Sequence, residues 1–164
     1  MFARYYVELA LPPDRVEAVL RQDPSRWMTH LAERANERGD TLLADVGFGE
    51  HMRIARTVEI EFASGVHAGT RAIFPFRWSA SGPGGMFPEL DADLEVAPLG
   101  EETTQLSISA RYVPPLGKVG KLIDRAILSR VAEATVKDFL DRVAAAVLEM
   151  VAVTITVAVY HPTL

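Results

Sequence analysis

Two hydrophobic periods divide this chain. In GKVGKLIDRAILSRVAEATVKDFLDRVAAAVLEM, residues 117–150, apolar residues recur at helical spacing: Leu122, Ala126, Ala132, Val136, Phe139 with Leu140, Val143, Val147 and Met150. Lys137 with Asp141 and Asp138 with Arg142 stand four apart and off that stripe, the arrangement of paired charges on an exposed helix face. The stretch follows Pro114-Pro115 and contains no proline, so it predicts one helix of roughly 50 Å at 1.5 Å per residue. A helix this long needs an apolar layer to lie on.

The period of two supplies that layer. Residues 2–10 predict a first strand, rich in aromatic and branched side chains and stopped by Pro12-Pro13. Asp14 with Glu17 has the spacing of a capping box opening a short helix through Leu20. Asp23-Pro24 predicts the start of a second short helix, carrying Trp27, Met28 and Leu31 and ending near Gly39. Residues 41–48 then read as a strand. Beyond them Met52, Ile54, Arg56, Val58, Ile60 and Phe62 alternate with Arg53, Thr57, Glu59 and Glu61. Ala72, Phe74, Phe76 and Trp78 share a face, as do Leu90, Ala92, Leu94 and Val96, and Leu106, Ile108, Ala110 and Tyr112. Successive hairpins with one apolar face imply a single antiparallel sheet covered on one side. A turn at 64–69 pairing Phe62 with Thr70 would set Val58 against Phe74, Arg56 against Phe76, Ile54 against Trp78, and Glu61 against Arg71 on the polar face. Pro75 is the misfit, because a proline inside a strand belongs at an edge or a bulge.

The fold class that follows is α+β, a sheet wrapped around one long helix. The strand–helix junction strengthens it: FPELDADLEV, then LSISARYVPPLGKVG, then the long helix, resembles the helix-grip superfamily. That group, often labelled SRPBCC, contains START lipid-transfer domains, polyketide cyclases and pollen-allergen-like proteins. The resemblance covers about residues 1–150 as a single domain. It implies a curved antiparallel sheet, two short helices after the first strand, and a cavity between sheet and final helix that opens near the helix's N-terminal half. By resemblance, the expected partner is a hydrophobic or amphipathic small molecule.

Residues 151–164 depart from that pattern. VAVTITVAVY alternates Val/Ile with Ala/Thr, which predicts an extra strand that caps the sheet or pairs with another subunit as a homo-oligomer through residues 151–160.

Composition changes this picture little and mainly excludes. The 164 residues suit one domain, and the net charge of −5 argues against a general nucleic-acid or anionic-membrane binder. With no cysteine, thiol catalysis, disulfides and thiolate metal sites are excluded. The opening MFARYYVELALPP lacks the apolar run of a signal peptide, and no stretch reads as a stable membrane span, so a cytoplasmic protein is expected.

The candidate chemistry centres on Arg56. Strict alternation turns it inward beside Phe76 and Trp78, where a guanidinium needs a carboxylate, an aromatic face or a ligand anion; a rim position or a bulge would turn it out instead. Phe74, Phe76 and Trp78 either line a cavity or fill a core. Tyr112 ends its strand near the expected mouth, and Ser129 lies on the helix stripe between the small residues Ala126 and Ala132, where packing is least bulky. With Leu94, Ile108 and Leu122, these complete the candidate ligand-binding set: Arg56, Phe74, Phe76, Trp78, Leu94, Ile108, Tyr112, Leu122, Ala126 and Ser129. Asp91, Asp93 and Glu95 alternate onto the solvent face, and His30, His51, His67 and His161 are scattered, so no metal is expected. The GPGG of 82–85 reads as a turn. No nucleophile–base pair or cofactor motif is present, and no cofactor is expected. The leading function is binding or carriage of a hydrophobic small molecule. The alternatives are a polyketide cyclase/aromatase-like enzyme using Arg56, Tyr112 or His51, and an interaction module working through the terminal strand.

Overall fold

The computed structural model describes residues 1–43, 57–81, 89–113 and 125–160. The chain runs β1 (Phe2–Leu9), α1 (Pro13–Leu20), α2 (Pro24–Leu43), β2 (Thr57–Phe62), β3 (Val66–Ala68), β4 (Arg71–Ser81), β5 (Glu89–Pro98), β6 (Thr104–Val113) and α3 (Arg125–Tyr160). The strands form one antiparallel sheet in the order β1-β6-β5-β4-β2, with β3 also on β4. The long helix α3 packs on β1 and β6, α2 packs beside α3 and on β2, and α1 sits against α3 and β5. This is the helix-grip architecture.

Alternation decides the faces. Ala72, Phe74, Phe76 and Trp78 of β4, Leu90 to Val96 of β5 at alternate positions, and Leu106, Ile108, Ala110 and Tyr112 of β6 are all buried against the helices. The opposite face is polar: Arg77 donates to Asp91 at 2.6 Å directly across the strands, and Arg71 donates to Glu95 at 3.2 Å on the diagonal. Asp91 and Glu95 of β5 are therefore partners of surface arginines.

The hairpin around β4 differs from the expected one. The turn is tighter, at Gly69-Thr70, where Gly69 takes φ +65°, a conformation that favours glycine. Short β3 pairs with the first residues of β4, and β2 pairs with its far half: Phe62 lies opposite Phe76, Ile60 opposite Trp78, and Glu61 opposite Arg77. Phe62 is thus six positions along from Thr70. An even slip leaves every side chain on its expected face, which is why alternation alone could not detect it.

Pro75 explains the division. Its carbonyl accepts the Ala63 N–H at 2.9 Å, so its backbone faces the β2/β3 side, where proline has no donor to offer. The partner strand breaks there, between Phe62 and Val66. Within the break Gly65 crosses the ring of Phe74 so closely that a Cβ would stand 2.5 Å from the ring edge.

The helices correct three further expectations. Helix α1 begins at Pro13 behind Pro12, with no side-chain cap, and the Pro12 carbonyl accepts the N–H groups of Arg15 and Val16. Glu17 is thereby free of the supposed capping box and pairs with Arg21 at 2.8 Å and His67 at 3.0 Å. Helix α2 has 20 residues, running through Gly39 and residues 41–43, where a stop and then a strand were expected. An interior glycine costs about 1 kcal/mol, and the buried row Met28, Ala32 and Ala35 against α3 and β2 outweighs it. Residues 44–56 lie outside the described residues.

Helix α3 has 36 residues and includes 151–160, so the expected extra strand is absent and the boundary drawn at Met150 falls inside a helix. Val151 continues the buried stripe one turn beyond Val147, and Thr154 Oγ1 donates to the Met150 carbonyl at 2.9 Å. Extending a formed helix adds one hydrogen bond per residue, whereas a strand here would need a partner edge. The two charge pairs on α3 form as expected, each at 2.6 Å. Among the described residues, no helix is long and apolar enough to cross a membrane.

Candidate functional site

The register assembles three rows across the inner face. Phe74, Leu94, Ile108 and Tyr5 make one; Phe62, Phe76, Ala92, Ala110 and Ala3 the next; Ile60, Trp78, Leu90 and Tyr112 the third. The middle row holds three alanines on three successive strands, a shallow trough beneath α3. At its β4 end stands an aromatic cluster. Phe76 stacks on Phe62 at 5.6 Å between centroids, and Phe139 of α3 comes down between Phe76, at 5.5 Å, and Trp78, which it meets edge-on at 5.0 Å.

Trp78 is fully buried, and among the described residues its indole N–H has no hydrogen-bond partner. The side chains buried on this face are otherwise apolar apart from Tyr112 and Thr104, whose hydroxyl donates to the Leu11 carbonyl at 2.7 Å. The Trp78 row also lies at the end of the sheet where β2 and β5 begin and β4 and β6 end. An apolar wall with one unsatisfied donor can hold an apolar molecule and orient one acceptor atom on it.

The predicted residues divide into four groups. Phe76 and Trp78 come together with Phe139, while Phe74 sits under the Arg21 guanidinium, 5.2 Å from its ring centroid. Leu94 and Ile108 are fully buried in the Phe74 row, and Tyr112 is buried beside Leu90. Ala126, on the first turn of α3, is exposed, and Ser129 is half-buried with its hydroxyl 3.9 Å from the sulfur of Met1. The small front of α3 therefore faces solvent and the chain start at these two positions. Arg56 and Leu122, and with them His51 and the GPGG turn, lie outside the described residues.

Two cavities lie away from the Trp78 cluster. A groove of about 690 Å³ crosses the outer face, where Phe2, Arg111, Asp91, Arg77 and Glu61 form one cross-strand row. A smaller one, about 360 Å³, runs along the seam between β1 and α3, floored by Ala3, Tyr5, Ala134 and Val136 and edged by Arg4, Arg130, Glu133 and Lys137. Lys137 stands 5.0 Å over the Tyr5 ring, and hydrogen bonds first to Asp141 and then to Tyr5 hold its ammonium above the usual lysine range. Sequence patterning missed both, because each is made by residues on different strands or elements that only the register brings side by side.

No protein-family model matches the chain, and no curated protein matches it. Among solved structures, the chain is similar to a conserved protein from Geobacillus kaustophilus at 17% identity and a TM-score of 0.56, over 91% of this chain and 96% of that one. A hypothetical protein from Helicobacter pylori is similar at 15% identity and a TM-score of 0.49, over 88% and 86%. The ZhuI aromatase/cyclase from a Streptomyces species is similar at 14% identity and a TM-score of 0.38, over 92% and 95%. The first of these shows a shared fold.

Proposed function

We propose that the protein binds an apolar or amphipathic small molecule carrying a hydrogen-bond acceptor, seated between the inner sheet face and α3 with its acceptor on the indole N–H of Trp78. The observation that carries this reading is that buried, unpartnered donor. Leaving such a group unpaired costs about 1–3 kcal/mol, and native interiors rarely keep one. The apolar surroundings and the position of Trp78, at the end of the sheet where four strands begin or end, support it further. Arg56, one residue ahead of β2, remains the sequence-level candidate for a charged group on the same guest, and Leu122 for its apolar part.

A pair of probes tests the reading: naphthalene, and 2-acetonaphthone, which adds a carbonyl acceptor to the same ring system. The full chain should bind the ketone more tightly, by roughly three- to tenfold for one neutral hydrogen bond. Trp78→Phe should remove that preference while leaving naphthalene affinity within about threefold, as a loss confined to one hydrogen bond requires. Failure of both probes to bind saturably, or an unchanged preference in Trp78→Phe, would refute it. Native mass spectrometry of freshly purified protein should show a small-molecule adduct that Trp78→Phe retains less well.

A further inference from the structure

Among the described residues, strand β1 is an end strand of the sheet, and its outer side is unusually well suited to pairing. The N–H of Tyr112 donates to the Met1 carbonyl, and the Met1 amino group to the Tyr112 carbonyl, so Met1 faces β6. By antiparallel alternation, Ala3, Tyr5, Val7 and Leu9 direct their backbone groups to β6, and Phe2, Arg4, Tyr6 and Glu8 direct theirs away from it. Natural sheets guard such edges with prolines, bulges or inward-pointing charges. Here the ladder is unbroken over eight residues, contains no proline, and exposes Phe2 at 71% and Tyr6 at 58%. Tyr5 and Val7 point to the helix side yet stay half-exposed, beside the seam groove of about 360 Å³.

We infer that β1 pairs antiparallel with β1 of a second copy of this chain, about a twofold axis at Tyr6. Only outward-facing residues can exchange backbone bonds, so the partners must be drawn from Phe2, Arg4, Tyr6 and Glu8. Placing the axis at Tyr6 sets Arg4 of each copy opposite Glu8 of the other, twice over, and stacks the two Tyr6 side chains between them. Registers centred on Arg4 or Glu8 would instead oppose like charges. On the helix side, Val7 of each copy then lies opposite Tyr5 of the other, at the apolar seam floored by Ala3, Tyr5, Ala134 and Val136. Strand, charge order and groove all select a second copy over an unrelated peptide, because the edge is complementary to itself.

Sedimentation equilibrium of the full chain tests this. The wild type should show a monomer–dimer equilibrium. Arg4→Glu and Glu8→Arg should each weaken the dimer by roughly tenfold or more, since either change opposes like charges at two sites. The double exchange, Arg4→Glu with Glu8→Arg, should restore it. Tyr6→Pro removes a donor that faces the partner and spares the β1–β6 ladder, so it should yield a folded monomer by circular dichroism. A wild type that stays monomeric at every concentration, including one that takes up a separate extended peptide, would overturn the inference. So would a dimer indifferent to both single charge changes.

Discussion

Phe139 is the side chain that most directly joins sheet to helix, and its removal measures how firmly that join is made. It is fully buried, with ring centroids 5.5 Å from Phe76 and 5.0 Å from Trp78. Phe139→Ala deletes the wedge between them. Lost transfer energy and the cavity left behind predict a destabilisation of about 3–5 kcal/mol, toward the upper end because two aromatic pairs vanish, each contributing roughly 0.5–1.5 kcal/mol beyond area. For a chain of this length that is a fall in Tm of roughly 6–20 °C. Urea unfolding followed by circular dichroism should show a lower midpoint at an unchanged slope. Benzene should then rebind the space and restore about 2.7 kcal/mol at a concentration a hundred times its Kd. A loss below about 1 kcal/mol, or no rescue by benzene, would refute the packing argument, since a phenyl group wedged between two buried aromatic rings cannot be given up so cheaply.

Two further outcomes follow from local geometry. Gly65→Ala sets a methyl 2.5 Å from the Phe74 ring edge and should cost about 1–3 kcal/mol, and Phe74→Leu in the same chain should recover part of it in a double-mutant cycle; strict additivity of the two changes would show that they do not touch. Burial pushes the Glu17 carboxyl up, but hydrogen bonds from Arg21 and His67 outweigh it and hold the group below the usual carboxylate value of 4.5. Its stabilisation is therefore present above that value and is lost as pH falls through the lower folded one. Glu17→Gln should flatten the acid limb of the stability profile by less than about 1 kcal/mol, as expected of a largely exposed network, and an unaltered limb would contradict the pairing.

Much of this fold was legible because burial imposes its period on the sequence. The face on which Ala72, Phe74, Phe76 and Trp78 stand follows from alternation, and so does the stripe on α3. Register was not legible: a slip by an even number of residues conserves every face, so only the backbone chemistry of Gly69 and Pro75 distinguishes the observed pairing from the expected one. The last turns of α3 defeated local preference in another way. Val, Ile and Thr favour strands weakly, and a helix already formed by Leu140, Val143 and Val147 carries them on. For the site, the aromatic wall was readable from one strand. Its completion by Phe139 and its unsatisfied donor were not, because both depend on where α3 crosses.

Pro75 reaches further than the pairing it interrupts. Since β4 withholds a donor there, its outer flank is carried by two separate short strands. The β2 segment is the one opposite Trp78, and parting it from β4 would leave the β4-β5-β6-β1 ladders intact. A proline that looks like a flaw in the weave thus divides the support of β4 beside Trp78 and leaves the rest of the cloth whole.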